Sequence, residues 1–292
     1  MGFWRVRTGM MFALLTGMLV AIGVVIGYVM NNVWTGFYLM LALSIGMNLF
    51  AYFGSKKMAL SRNNVRIITY DQEPRLYSTV QRLAEKAGLP MPEVGISDVP
   101  MPNAFATGRN PKNAAVVATA PLLALLDDEE LEGVLAHEMS HVKNRDILVM
   151  SVASTLVSII SFVTRMGVYA ALSSSENRNG NFLIAIIADI TLPMAASLLQ
   201  LGVSRNREYL ADESGGRLTG KPMALASALY KLEHGCSLKS NTYDNDAYAC
   251  VWISDPQGKR ASSFFSRLFR THPLTEDRIE RLRKLDQELR GY

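Results

Sequence analysis

Cysteine is almost missing from this chain. Its 292 residues include two, Cys236 and Cys250, and these do not stand in the close pairs by which thiolates grip a metal. They read as free thiols in a reducing compartment, with a disulfide between them as the alternative. A strong charge of one sign is lacking too: 30 basic against 26 acidic residues leave a net charge of +4. No RNA- or DNA-binding motif is present, and the basic residues sit beside apolar runs. That placement suits orientation in a membrane and not a nucleic-acid partner.

Four long stretches have no charge, or a single one. Residues 9–30 and 33–53 have none and are separated by Asn31-Asn32, room for a tight hairpin only. Each is about the length that crosses a bilayer. A cleaved signal peptide would have a shorter apolar core, a small-residue cleavage site and a soluble chain after it. Arg5 and Arg7 precede the first run, while Lys56, Lys57, Arg62 and Arg66 follow the second. The positive-inside rule therefore puts the N-terminus and everything after Phe53 in the cytoplasm. The runs 147–163 and 182–203, the latter holding Asp189 and Pro193, predict a second membrane hairpin. Their alternative is a pair of buried core helices in a larger soluble domain. Asp189 reads as an inward-facing carboxyl bonded to a neighbouring helix, or as a functional group within a span. Arg205 and Arg207 mark the return to the cytoplasmic side.

The stretch between the hairpins is polar enough to fold in water. A helix is expected over 73–87, with Leu76, Val80, Leu83 and Ala87 on one face and Gly88 as its stop. Residues 93–97, 103–108 and 113–119 are strand candidates, the last two joined by a turn through Asn110-Pro111. This predicts a small sheet, and an edge strand in it could hold an extended peptide by strand addition. An ordinary structural hairpin is the alternative. Near the C-terminus, helices are expected over 222–232 and 276–290. Thr275 would cap the latter, and Ile279, Leu282, Leu285 and Leu289 would form its apolar stripe.

The chemistry gathers in His137-Glu138-Met139-Ser140-His141. Asp127 and Glu130 resemble a capping box, and Leu131, Val134 and Leu135 supply a stripe that continues into the histidine face. On such a helix two imidazoles four apart can bind one metal ion from the same side. Glu138 can then reach a water on that ion as its general base. Two core histidines four apart by chance are the alternative. Glu208 and Asp212 also share a helix face. Glu208 can complete a His-His-Glu site, and Asp212 can accept the other ring N–H of a ligating histidine. Alternatively, both only balance the neighbouring arginines.

Taken in order, the N-terminal hairpin, the segment Asn103 to Gly108, the His137–His141 motif, the second hairpin, the segment Ser204 to Asp212 and His272-Pro273 before Arg278-Ile279 resemble one family. It is the HtpX-type integral-membrane zinc endopeptidases of the gluzincin class, related to the CAAX prenyl proteases. The resemblance covers nearly the whole chain. It implies one Zn2+ per chain held by His137, His141 and Glu208, with Glu138 as catalytic base. It also implies that Asn103, Ala104 and Phe105 lie along the substrate cleft. His272 would lie near the metal, as a transition-state stabiliser or an extra ligand. The implied work is quality control: cleavage of misfolded or damaged membrane proteins at the bacterial inner membrane, with other quality-control proteases as candidate partners.

The fold class expected is mainly α with a small β-sheet, a four-helix transmembrane part and a cytoplasmic gluzincin-like metalloprotease domain. The divisions are 1–56 and 147–203 for the two hairpins, and 57–146 and 204–292 for the two halves of the protease part. Two other readings compete with it: a zinc-containing membrane scaffold that does not cut, and a soluble zinc hydrolase whose apolar runs are core.

Overall fold

The computed structural model describes residues 3–29, 31–153, 155–156, 205–237 and 273–291. Asp189, Cys250, His272 and most of the stretch expected to form a second hairpin lie outside these residues.

Two long antiparallel helices come first, α1 (Phe3–Val29) and α2 (Val33–Arg62). Asn31, with φ of 56°, turns the chain, and the Asn32 side chain caps α2 by accepting from the Thr35 N–H. The two backbones touch near this turn: a methyl placed on Gly36 would overlap the carbonyl of Gly23. Among the described residues α2 is the one helix long and apolar enough to cross a membrane; the apolar stretch Thr8–Val24 of α1 is shorter. The outer face of α2 is apolar, with Leu39 64% and Phe53 62% exposed. In water such a face would be a large unpaired patch. Its inner face joins α1 and residues 148–156 in a second core built on Met11, Leu15, Ala51, Leu148 and Val152.

α2 does not stop where its apolar run stops. It continues through Lys56 and Lys57 to Arg62, because nothing there breaks a helix, and leads within three residues into β1 (Val65–Ile67). Lys56 Nζ meets Glu93 at 2.7 Å, tying α2 to the sheet. The sheet adds β2 (Glu93–Ser97), β3 (Ala104–Gly108) and β4 (Ala114–Thr119), in the order β1-β2-β4-β3. β2 and β4 run parallel; the other two pairs are antiparallel. The expected hairpin is thus β3–β4, and β3 forms one edge. Gly108, at φ of 133°, leads into its turn.

Around the sheet pack α3 (Pro74–Ala87), stopped by left-handed Gly88, then α4 (Ala120–Leu125), α5 (Asp128–Lys143), α6 (Arg205–Thr219), α7 (Pro222–Ser237) and α8 (Thr275–Arg290). α5 is the centre and is buried from Glu130 to Val142. The Asp127–Glu130 capping box forms as expected. Glu130 also takes Ser227 and Lys231 from α7, at 2.7 and 2.6 Å, which pins α7 to the start of α5.

Three expectations need correcting. α7 runs to Ser237, past the expected end at 232. Thr275 is the first residue of α8 and caps nothing; Leu274 occupies that position, with no side-chain bond. The buried face of α8 is Arg278, Leu282 and Leu285, while Leu289 is exposed. β1 and α4 were not expected: three residues show no period, and six apolar ones are too few to show a helical one.

Candidate active site

The centre of α5 puts His137 and His141 one turn apart, both buried, and α6 crosses it where Glu208 faces them. The helices can approach this closely because position 215 is glycine. A Cβ there would lie 2.9 Å from the His137 backbone nitrogen and 3.2 Å from its Cα.

The Nε2 atoms of His137 and His141 are 3.2 Å apart. Glu208 Oε2 lies 3.6 Å from the first and Oε1 3.5 Å from the second. A tetrahedral ion with bonds of about 2.0–2.1 Å places its ligand atoms about 3.3 Å apart. The triangle of two nitrogens and one carboxylate therefore has the dimensions of a divalent-cation site, with a fourth position left for water. The three residues fit such an ion in number, chemistry and spacing, and their ligand atoms all lie within 4.8 Å of one another.

Asp212, one turn along α6 from Glu208, is 2.9 Å from His137 Nδ1. Accepting that N–H leaves the Nε2 lone pair aimed into the triangle. Asp212 is held in turn by Arg278 of α8, whose Nε and Nη2 donate to its two oxygens at 2.7 and 2.6 Å. Both are buried, and a bidentate pair of this kind satisfies charges that would otherwise be costly away from water. Arg278 was missed as a site residue. Its signal was there, since it stands four and seven residues before Leu282 and Leu285, on the face that should have been apolar.

Burial would raise the Asp212 carboxyl, but Arg278 outweighs it and holds the group below its ordinary range. Burial likewise lowers the His137 imidazole, but the bonds to Asp212 and Glu208 overcome this and raise it from 6.5 to about 9 without a metal. Glu138 moves up, chiefly because it is buried and in part because Glu208 is near, against the pull of the histidines.

Glu138 Oε2 accepts the N–H of Ala106 in β3 at 2.9 Å. Ala106 is therefore the strand residue that meets the reactive side chains. Asn103, Ala104 and Phe105 are buried on the same strand or beside it; the Asn103 N–H donates to Thr119 Oγ1 and its carbonyl accepts the Thr119 N–H at the end of β4. The structure thus groups His137, Glu138, His141, Glu208 and Asp212 and sets the β3 edge against them; His272 lies outside the described residues.

A helix-borne histidine pair with an intervening glutamate, a carboxylate from a second helix and a β-edge alongside define a metallopeptidase. The comparisons agree, and the chain belongs to peptidase family M48, whose family model matches residues 71–286. Proteins named Protease HtpX homolog resemble it along nearly their full length. One from Thermococcus sibiricus is 44% identical, covering 99% of this chain and 98% of its own; one from Pyrococcus furiosus is 43% identical with the same coverage. One from Campylobacter concisus is 42% identical over 97% of this chain and 98% of its own. Among solved structures, the crystal structure of S. mikatae Ste24p aligns over 91% of this chain and 62% of its own, at 18% identity and a TM-score of 0.49.

Two outcomes are expected. His137 must lose its proton to bind a cation, so affinity should climb as pH rises toward about 9 and level off above it. The sign for the metal-free fold is opposite. A folded value above 6.5 stabilises it fully below pH 6.5, and that contribution fades as pH rises through about 9. Metal titrations and melting curves across this window check both. Separately, Gly215→Ala should force α5 and α6 apart. It should cost about 1–3 kcal/mol and weaken metal binding with every ligand intact, as read by chelator competition.

Proposed function

We propose that the protein is a zinc endopeptidase of the membrane that cuts misfolded or damaged membrane proteins. The observation that carries this reading is the His137–His141–Glu208 triangle beside the β3 edge. Its two imidazoles and one carboxylate are a zinc donor set, with the fourth position open as in catalytic sites. When bound, zinc acts as a Lewis acid and lowers the pKa of its water toward about 7.

The chain's own residues do the rest. Glu138, with its carboxyl raised by burial, takes the proton of the attacking water and passes it to the leaving amine. Asp212 and Arg278 keep the His137 ring in the tautomer that presents Nε2. Substrate lies extended along Asn103, Ala104, Phe105 and Ala106 and pairs with the outer edge of β3. Its arrival competes for the Ala106 N–H that Glu138 now accepts and frees the carboxylate to turn toward the water. His272 assists at the developing oxyanion.

The membrane part of the proposal is four crossings in two hairpins, 1–56 and 147–203, with protease halves 57–146 and 204–292 on the cytoplasmic face of a bacterial inner membrane. The exposed apolar face of α2 supports it, since a soluble hydrolase would have that face covered. The site's place supports a membrane-protein substrate: β3 is followed by Arg109, whose guanidinium lies 5.4 Å over the Phe53 ring near the end of the apolar part of α2. A scaffold that binds zinc without cutting would have no use for a buried Glu138 beside the ligands.

Glu138→Gln should retain zinc and lose cleavage of an unfolded membrane substrate in detergent by about 10²–10⁴-fold, while Glu208→Ala should lose the metal as well. Full cleavage by the Glu138→Gln protein would remove Glu138 from the reaction. Alkaline carbonate should leave the protein in the membrane pellet; its release without detergent would overturn the four crossings.

A further inference from the structure

His137 has an obvious support in Asp212 and Arg278. His141 has a second one, built from residues on either side of the second hairpin. α5 ends at Lys143, with Asn144 as its C-cap. The next residue, Arg145, has φ of 60°, a left-handed conformation that a bulky side chain seldom adopts. This single kink folds the chain back, so that Asp146 comes under the helix it has just left. Asp146 is 5% exposed, and its Oδ2 lies 3.4 Å from His141 Nδ1. Its other oxygen accepts from Arg207 Nη1 at 2.5 Å. Arg207 stands directly before Glu208 at the start of α6.

We propose that Asp146, gripped by Arg207, is a positioning residue for His141. It accepts the Nδ1–H and so keeps Nε2 turned toward Glu208 and the other imidazole. The same ion pair closes the base of the 147–204 insertion. It joins the residue that leaves α5 to the residue that precedes the third ligand, so one contact sets both the second imidazole and the register of the helix carrying Glu208. The site then has two parallel relays, Arg278–Asp212–His137 and Arg207–Asp146–His141, entering from opposite ends of the chain's C-terminal half.

This inference rests on reading His137, His141 and Glu208 as a zinc site, and the test separates the two. Full-length protein purified in detergent is titrated with Zn2+ against a chromophoric chelator. Wild type must bind and Glu208→Ala must not, or the site reading itself fails. Given that, Asp146→Asn should bind zinc about 10–100-fold more weakly, the range for loss of a histidine's outer partner. Its metal-free form should melt lower, because a buried ion pair is broken, and the visible bands of its Co2+ form should shift. Wild-type affinity in Asp146→Asn would overturn the proposal. So would an affinity loss with the Co2+ bands unmoved, which would mark a merely structural pair. Should Asp146→Asn fail to fold, Arg207→Lys and Arg207→Gln decide. Lys keeps the ion pair and should bind like wild type, and Gln should bind more weakly. Equal affinity in both overturns the proposal.

Discussion

Where α6 crosses α5 there is no room for even a methyl group at position 215, and the metal triangle is a consequence of that contact. Helix axes normally lie about 8–10 Å apart, held off by side chains. Removing the side chain at the crossing lets the Glu208 carboxylate reach imidazoles that project from the neighbouring helix. The short Glu side chain and the rigid histidine rings could not bridge a wider gap. Two interactions hold the crossing from outside: α7 is locked to the head of α5 through Glu130, and α8 presses Arg278 between α6 and the His137 ring.

The closeness has an electrostatic cost. Glu138, Glu208, Asp212 and Asp146 are all nearly removed from water. Buried carboxylates of like charge repel one another and drift toward neutrality unless they are paired. Asp212 is paired with Arg278, which holds its carboxyl below the ordinary range, and Asp146 is paired with Arg207. Among the described residues no guanidinium bonds Glu138; it accepts a backbone N–H, and burial pushes its carboxyl upward. Asp212 is thus held as an anion by its arginine, whereas Glu138, which exchanges the proton in the proposed reaction, has a raised carboxyl. The negative surplus around the triangle is also what a dication neutralises.

Much of this was legible along the chain. The capping box at Asp127, the stop at Gly88 and the turn between β3 and β4 each depend on residues a few positions apart, so local rules suffice. The four-residue spacings of His137 with His141 and of Glu208 with Asp212 put each pair on one face without knowledge of the fold. What escaped needed tertiary contacts. Arg278 interrupts an apolar stripe in phase with Leu282 and Leu285, but its partner Asp212 comes from another helix. Asp146 comes into place through a left-handed Arg145, and no propensity scale favours that conformation for arginine. The parallel pairing of β2 with β4 across a later hairpin is non-local. The true end of α2 was hidden for another reason: hydropathy marks where lipid ends, and a helix can continue beyond it.

That overrun has a geometric meaning. α2 has 30 residues, about 45 Å at 1.5 Å per residue, whereas the hydrocarbon layer is about 30 Å thick. On the proposed topology some 15 Å of rigid rod stands clear of the lipid and carries the sheet on its tip without a flexible joint. Such a post works as a height gauge. On that topology the catalytic edge would stand at one fixed altitude above the bilayer, within reach only of backbone that rises clear of the surface.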